Sequence, residues 1–253
     1  MTRSTIGARG LLAMAMALAG IGTAEAQSTK TARLAQAVPD LGLTISVAAD
    51  NDGSLVLSAT AGELTVHKRV FADGTYAVRI RRGAADEVVI SATPGRTKVV
   101  AGGAVTDLRG DGGATFERHA RRVREALPRS EAIQHFRQIA AALDKQDDVS
   151  PEALGLRITG AVVAGLAGDP AAARRFSQTM LGRRGLRVRT VQTGSTCFDR
   201  YQAIVTTAAR QLETCLGSFN PFNPMRNLCV FVWTMQVESA WFQFLACSSV
   251  PLK

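Results

Sequence analysis

Four cysteines at a repeated spacing constrain the fold of this chain more than any other feature. Cys197 and Cys215 are 18 positions apart, and so are Cys229 and Cys247. At roughly 100° per helical residue this separation makes about five whole turns, so each pair shares one helix face if both segments are helical. Two antiparallel helices ~8–10 Å apart bring facing Cα atoms within reach of the ~4.4–6.8 Å that a disulfide spans. The spacing therefore predicts a helical hairpin joined by disulfides at both ends.

Of the three pairings that four cysteines allow, the nested one fits such a hairpin. Pairing within either helix fails, because a rise of ~1.5 Å per residue would put the two sulfurs ~27 Å apart. Pairing Cys197 with Cys229 requires parallel helices, and the loop at 218–224 would have to run back along the whole helix. We therefore predict the disulfides Cys197–Cys247 and Cys215–Cys229.

The first residues are typical of a secretory signal peptide. Arg3 and Arg9 make the start positive, Leu11 to Ala19 is a short apolar run, and Ala24-Glu-Ala26 matches the small-x-small cleavage pattern. The apolar run is too short to span a bilayer comfortably. We expect residues 1–26 to be removed during export by the general secretory route. The chain would then reside in the periplasm or outside the cell, where oxidising conditions let cysteines pair.

A period of two from Leu41 to about Gly110 predicts an antiparallel β-meander. Leu43, Ile45 and Val47 alternate with polar residues, as in a sheet with one buried face and one solvated face. Turn signals such as Asp-Gly and Pro-Gly recur at short intervals. We predict about six strands, near 42–48, 54–60, 63–70, 75–82, 86–92 and 97–101. Residues 27–40 are polar and aperiodic and are interpreted as a linker, which leaves 41–110 as a β-sheet module.

The period then changes to 3.6, which predicts a helical module over 114–253. Ser130 is placed to cap one helix, and Ser150-Pro151 is a strong start signal for the next. Gly155, Gly160 and Gly165 weaken that second helix, so we expect other elements to pack closely against it. The α-hairpin at 197–247 completes an α+β fold in which the β-meander precedes a helical layer.

Glu238 is the ionisable residue that the pattern singles out. If the nested disulfides set the register of the two helices, Glu238 points away from the partner helix. It then lies on an apolar face shared with Phe231, Met235 and Trp241. A covered carboxyl either finds a cation or stays protonated with a raised pKa, as catalytic acids do. Since buried charges are normally paired, an arginine of the preceding helices is the simpler expectation, and Glu238 remains a weak candidate for a general acid.

Motifs of common enzymes and cofactor sites are missing from the sequence. It has no His-Glu-x-x-His, no Gly-x-Ser-x-Gly, no phosphate-binding loop and no dinucleotide-binding glycine motif. The cysteines lack the Cys-x-x-Cys spacing of zinc sites. We therefore predict neither a metal nor a cofactor.

Basic residues give the chain a net charge of +9 and a candidate surface for anions. The candidates for anion binding are Arg118, Arg121, Arg122, Arg183, Arg184, Arg187 and Arg189. Interspersed glutamates favour the ordinary alternative, a solvated face. Aromatic residues do not alternate with the arginines, so nucleic acid is not favoured as a partner.

These features favour an exported, non-enzymatic basic protein that binds an anionic envelope component or another protein. One alternative is an envelope hydrolase that uses Glu238 as its general acid. Another is a membrane-active hairpin, since Leu228 to Val250 is apolar and nearly long enough to span a bilayer. Membrane insertion is disfavoured because Glu238 lies at the middle of that segment and disulfides tie it to a more polar helix. Phe219 and Phe222 in the hairpin loop are expected to fold back over the hairpin end.

Overall fold

A computed structural model describes residues 33–84, 86–110, 113–181, 187–188, 195–220, 223 and 225–248. The predicted signal peptide therefore lies outside the described residues, as do Phe222, Arg183, Arg184 and Arg189. The described chain is an antiparallel sheet followed by a layer of helices, as the sequence predicted.

Among the described residues eight strands form the sheet, and each pairs with the next one along the chain. They are β1 Arg33–Val38, β2 Leu43–Ala49, β3 Leu55–Ala61, β4 Leu64–Val70, β5 Tyr76–Arg82, β6 Asp86–Thr93, β7 Arg96–Ala101 and β8 Ala104–Arg109. The six predicted strands correspond to β2 through β7. Along β2, Leu43, Ile45 and Val47 are buried while the residues between them are half-buried, so the predicted alternation is confirmed.

Two strands lie outside the six predicted ones, and both are edge strands. β1 falls within the predicted linker at 27–40, and a short 3-10 helix at Pro39–Leu41 joins it to β2. β8 follows the last predicted strand, and only Thr106 and Leu108 of β8 are buried. A strand at an edge buries fewer side chains, so its alternation is short and easily missed. The linker prediction is therefore wrong for residues 33–38.

Six α-helices follow the sheet in the described part of the chain. They are α1 Ala114–Ala126, α2 Glu131–Asp144, α3 Pro151–Leu166, α4 Pro170–Leu181, α5 Ser195–Gly217 and α6 Met225–Ser248. Two short strands, β9 Asp148–Val149 and β10 Arg187–Val188, pair in parallel. Both predicted serine caps are confirmed: Ser130 Oγ accepts a hydrogen bond from the Ile133 amide, and Ser150 Oγ accepts one from the Ala153 amide.

The helices cover one face of the sheet, and the two layers share a single hydrophobic core. α1 packs on β7 and β8, α2 on β5 and β6, and α3 on β1 and β2. α3 is the central helix and is buried along nearly its whole length. Its three glycines are sites of close approach, as predicted, because a Cβ would lie 2.8 Å from Ala140 at Gly160 and 2.6 Å from Val230 at Gly165.

The hairpin of α5 and α6 carries the two disulfides in the predicted nested order. Cys197 pairs with Cys247, which we name the outer disulfide, and Cys215 pairs with Cys229, the inner disulfide. Their Cα–Cα distances are 5.8 and 5.7 Å. Phe219 packs partly buried against the core, in line with a loop that folds back.

Candidate functional site

Glu238 lies at the centre of the structure, between α6 and the sheet. Its Oε2 atom is 2.6 Å from Nζ of Lys68, and both side chains are 0 % exposed. Lys68 belongs to β4, so the partner is a lysine of the sheet, and the expected pairing with an arginine of the preceding helices is wrong. The reason is that α6 packs on β4 as well as on α3 and α4.

Sequence reasoning missed Lys68, although the chain carries a signal for it. Lys68 occupies the core-facing register of β4, in line with the buried residues Leu64, Val66 and Val70. A lysine in the apolar register of a strand indicates a buried cation, and a buried cation needs a partner. That reasoning would have paired Lys68 with Glu238, the charge on the covered face of α6.

Three elements close around the ammonium group of Lys68. Its Nζ atom donates a hydrogen bond to the carbonyl oxygen of Gly155 in α3 at 3.1 Å and lies 4.9 Å from the ring centroid of Trp241. A Cβ at Gly155 would lie 2.5 Å from Cζ2 of Trp241, so only glycine lets α3 approach α6 at this point. The same carbonyl also accepts a hydrogen bond from Thr159 Oγ1 at 2.9 Å.

Burial sets the electrostatics of this cluster. Burial raises the pKa of Glu238 and lowers the pKa of Lys68, and in each case the charge of the partner opposes the shift. Burial also raises the pKa of Tyr76 and of Tyr201, and the negative charge of Glu238 raises both further. The Tyr201 hydroxyl is buried. Within the described ranges, no group lies at a normal hydrogen-bonding angle to this hydroxyl or to the carboxylate oxygens of Glu238.

The cluster is therefore a buried ion pair that joins the sheet to the hairpin. A general acid must touch its substrate, and Glu238 has no exposed surface. A substrate would reach this carboxyl only if the sheet and α6 separated. In the part of the chain that the structure describes, no three His, Cys, Asp or Glu side chains group as metal ligands.

The predicted anion-binding arginines divide into two sets. Arg118, Arg121 and Arg122 are exposed on α1. Arg187 is exposed on β10, and the other three members of that basic run lie outside the described residues. Only the α1 set can therefore be related to a surface of known shape.

A groove runs between α1 and the edge of the sheet, with a cavity volume of about 300 Å³. Its apolar lining consists of Val99, Ala101, Ala104, Val105, Val123 and Ala126. Its polar lining consists of Thr106, Arg122, Glu125 and Arg129. One predicted anion-binding residue, Arg122, thus lines a concave surface, together with Arg129, a basic residue seven positions further along the chain.

Several arginines on the uncovered face of the sheet differ from those on α1, because carboxylates lie beside them. Arg79 lies 2.7 Å from Glu87, and Arg96 lies 2.8 Å from Asp107, which Arg109 also approaches at 3.5 Å. Hydrogen bonds from Arg96 lower the pKa of Asp107, and partial burial opposes this shift. Compensated charges of this kind offer little attraction to an anionic ligand.

Comparison of the chain with protein-family models, curated proteins and solved structures found no match. None of the helices among the described residues is both long and apolar enough to cross a membrane. The two disulfides indicate an oxidising, non-cytoplasmic compartment. Any function proposed for the chain therefore rests on its own geometry.

Proposed function

We propose that this chain is an exported, non-enzymatic protein that binds an anionic component of the cell envelope through the arginines of α1 and of the turn that follows it. One observation carries the proposal: Arg118, Arg121, Arg122 and Arg129 lie exposed on one short segment without a carboxylate within 4 Å, as far as the described residues show. Three other arginines of the helical layer, Arg157, Arg174 and Arg175, are held in ion pairs.

The charge of this segment is also uneven. Residues 114–129 contain five arginines and only two glutamates. Because the buried face of α1 is anchored by Phe116, Ala120 and Val123, the arginines stay together on the solvent side. A local excess of fixed positive charge attracts anions and is weakened by salt.

Export is the second part of the proposal. It is supported by the positive, apolar and small-residue regions of residues 1–26, which resemble the three parts of a signal peptide. The disulfides support it independently, since such bonds persist outside the reducing cytoplasm. Pulse labelling should show a precursor that is shortened during export, and a chain that kept its first residues would contradict this part.

Retention on heparin-agarose tests the binding surface. The variant R118E/R121E/R122E should elute at clearly lower salt than the unmodified chain. If each contact contributes about 0.5–1 kcal/mol, affinity should fall about 10- to 150-fold.

A matched variant, K145E/R200E/R210E, changes the net charge by the same amount at exposed positions on α5 and directly after α2. It should elute close to the unmodified chain. Equal losses for the two variants would mean that only total charge matters, and the proposal of a binding surface on α1 would be abandoned.

A further inference from the structure

We propose that the groove between α1 and β8 receives the apolar part of an anionic amphiphile, whose single negative group is held by Arg122 and Arg129. This inference rests on the proposed function and narrows it, because it replaces anions in general by one chemical class. We base this narrower ligand class on the groove as well as on the charge.

The shape and lining of the groove favour an apolar group of a ligand. The six apolar lining residues belong to β7, β8 and α1, so the walls are regular elements that packing holds in place. A volume of about 300 Å³ is at the lower end of small-molecule pockets. It suits a short acyl chain or an aromatic ring and is too small for a protein helix.

The net charge of the groove favours a ligand with one anionic group. Arg122, Glu125 and Arg129 follow one another at helical spacing along the same wall. No ion pair within 4 Å joins Glu125 to either arginine in the described structure, so their summed charge at the groove is one positive unit. The C-terminal end of a helix repels anions, and the attraction must therefore come from the two guanidinium groups.

Three variants separate the contributions of shape and charge. A104W fills the groove at an exposed lining position and leaves every charge in place, and its control A171W adds the same ring on the exposed side of α4. R122E/R129E reverses the charge of the groove, and its control R200E/R210E makes the same change at exposed positions of α5. E125Q removes the competing carboxylate.

The probe is the dye anilinonaphthalene sulfonate, an aromatic amphiphile with one anionic group, displaced by decanoate or by the uncharged decyl maltoside. The unmodified chain should bind the dye and release it to decanoate at much lower concentration than to decyl maltoside. A104W and R122E/R129E should each weaken dye binding at least tenfold. Both control variants should stay within threefold of the unmodified chain, and E125Q should bind more tightly by a factor of about 2–5. Near-ultraviolet circular dichroism identifies any variant that has lost its packing.

Each remaining outcome overturns the inference. Unchanged binding by A104W would show that the dye sits elsewhere, and equal losses for the two double arginine variants would show a diffuse charge effect. Equal displacement by decyl maltoside would remove the anionic selectivity, and a dimer in which β8 is covered would make a second copy the occupant. If the chain is retained on heparin but binds no dye, the inference fails and the proposed function stands. If it is not retained either, the proposed function fails as well.

Discussion

Breaking the Lys68–Glu238 pair should destabilise the fold more than any other single change of a charged residue among those described. In Lys68→Met the carboxylate stays buried without its cation, and in Glu238→Gln the ammonium group stays buried without its anion. Removing one partner of a buried pair costs about 3–5 kcal/mol, because the other charge is left uncompensated. The Gly155 carbonyl adds little to the cost in Lys68→Met, since Thr159 Oγ1 still donates to it.

The double variant distinguishes a buried ion pair from a simple packing effect. Replacing both charges by uncharged side chains of similar size removes the desolvation cost together with the attraction. K68M/E238Q should therefore be more stable than either single variant, within about 2 kcal/mol of the unmodified chain. Urea unfolding followed by tryptophan fluorescence measures all four proteins, because Trp233 and Trp241 are both buried. For a domain of this size each single variant should melt roughly 6–20 °C lower.

The pH dependence of the two single variants should have opposite signs. In Lys68→Met, burial without a cation raises the folded pKa of Glu238 further, so the folded state binds the extra proton. Its stability is then lost as pH rises through that pKa. In Glu238→Gln, burial without an anion lowers the folded pKa of Lys68, so the unfolded state binds the extra proton and stability rises with pH. The first variant should gain stability relative to the unmodified chain towards acid pH, and the second towards alkaline pH.

An exposed pair supplies the control. Arg174 and Glu213 are 2.7 Å apart, but their side chains are 40 % and 46 % exposed. The same comparison of single and double variants, with R174M and E213Q, should give a coupling free energy below about 1 kcal/mol. Single variants of the buried pair that lose less than about 1 kcal/mol, or that share one sign of pH dependence, would refute the reasoning.

Three further changes follow from the packing. Gly155→Ala places a Cβ 2.5 Å from Trp241 and should lower the free energy of unfolding in urea by about 1–3 kcal/mol. Gly217→Ala places its Cβ in open space and should be neutral or stabilising. Equal effects of the two changes would contradict the close approach. The outer disulfide closes a sequence separation of 50, and the inner one a separation of 14. Replacing the outer cysteines by serines should therefore lower the free energy of unfolding by about 4 kcal/mol, and replacing the inner cysteines by about 3 kcal/mol. The reverse order in thermal unfolding would argue against an origin in loop entropy. Ser150→Ala should cost about 1 kcal/mol by removing the cap of α3, while Ser150→Asp should retain most of the stability, and equal losses would show that the cap contributes little.

The hairpin was the most predictable part of the fold, because helical periodicity converts sequence spacing directly into position on a face. An 18-residue repeat admits one pairing in an antiparallel hairpin, and the structure has it. The six inner strands were predictable for a related reason, since each buries one face and shows it as alternation. β1 and β8 were missed because an edge strand has a neighbour on one side only and leaves a weaker pattern.

The candidate site depended much more on the tertiary structure. The sequence places Lys68 in an apolar register and Glu238 on a covered face, but it does not state that β4 lies under α6. Residues 170 positions apart meet only because α3 carries a glycine at the crossing, which brings three elements together around one ammonium group.

By itself, then, the sequence determined the local elements, the hairpin, its disulfides and the faces that each element must bury, since these follow from periodicity along the chain. The tertiary structure alone decided which buried faces meet. It provided Glu238 with a lysine in place of an arginine, and it placed Arg122 and Arg129 beside an apolar groove. Such partnerships arise between elements distant in sequence, where no periodicity connects the residues.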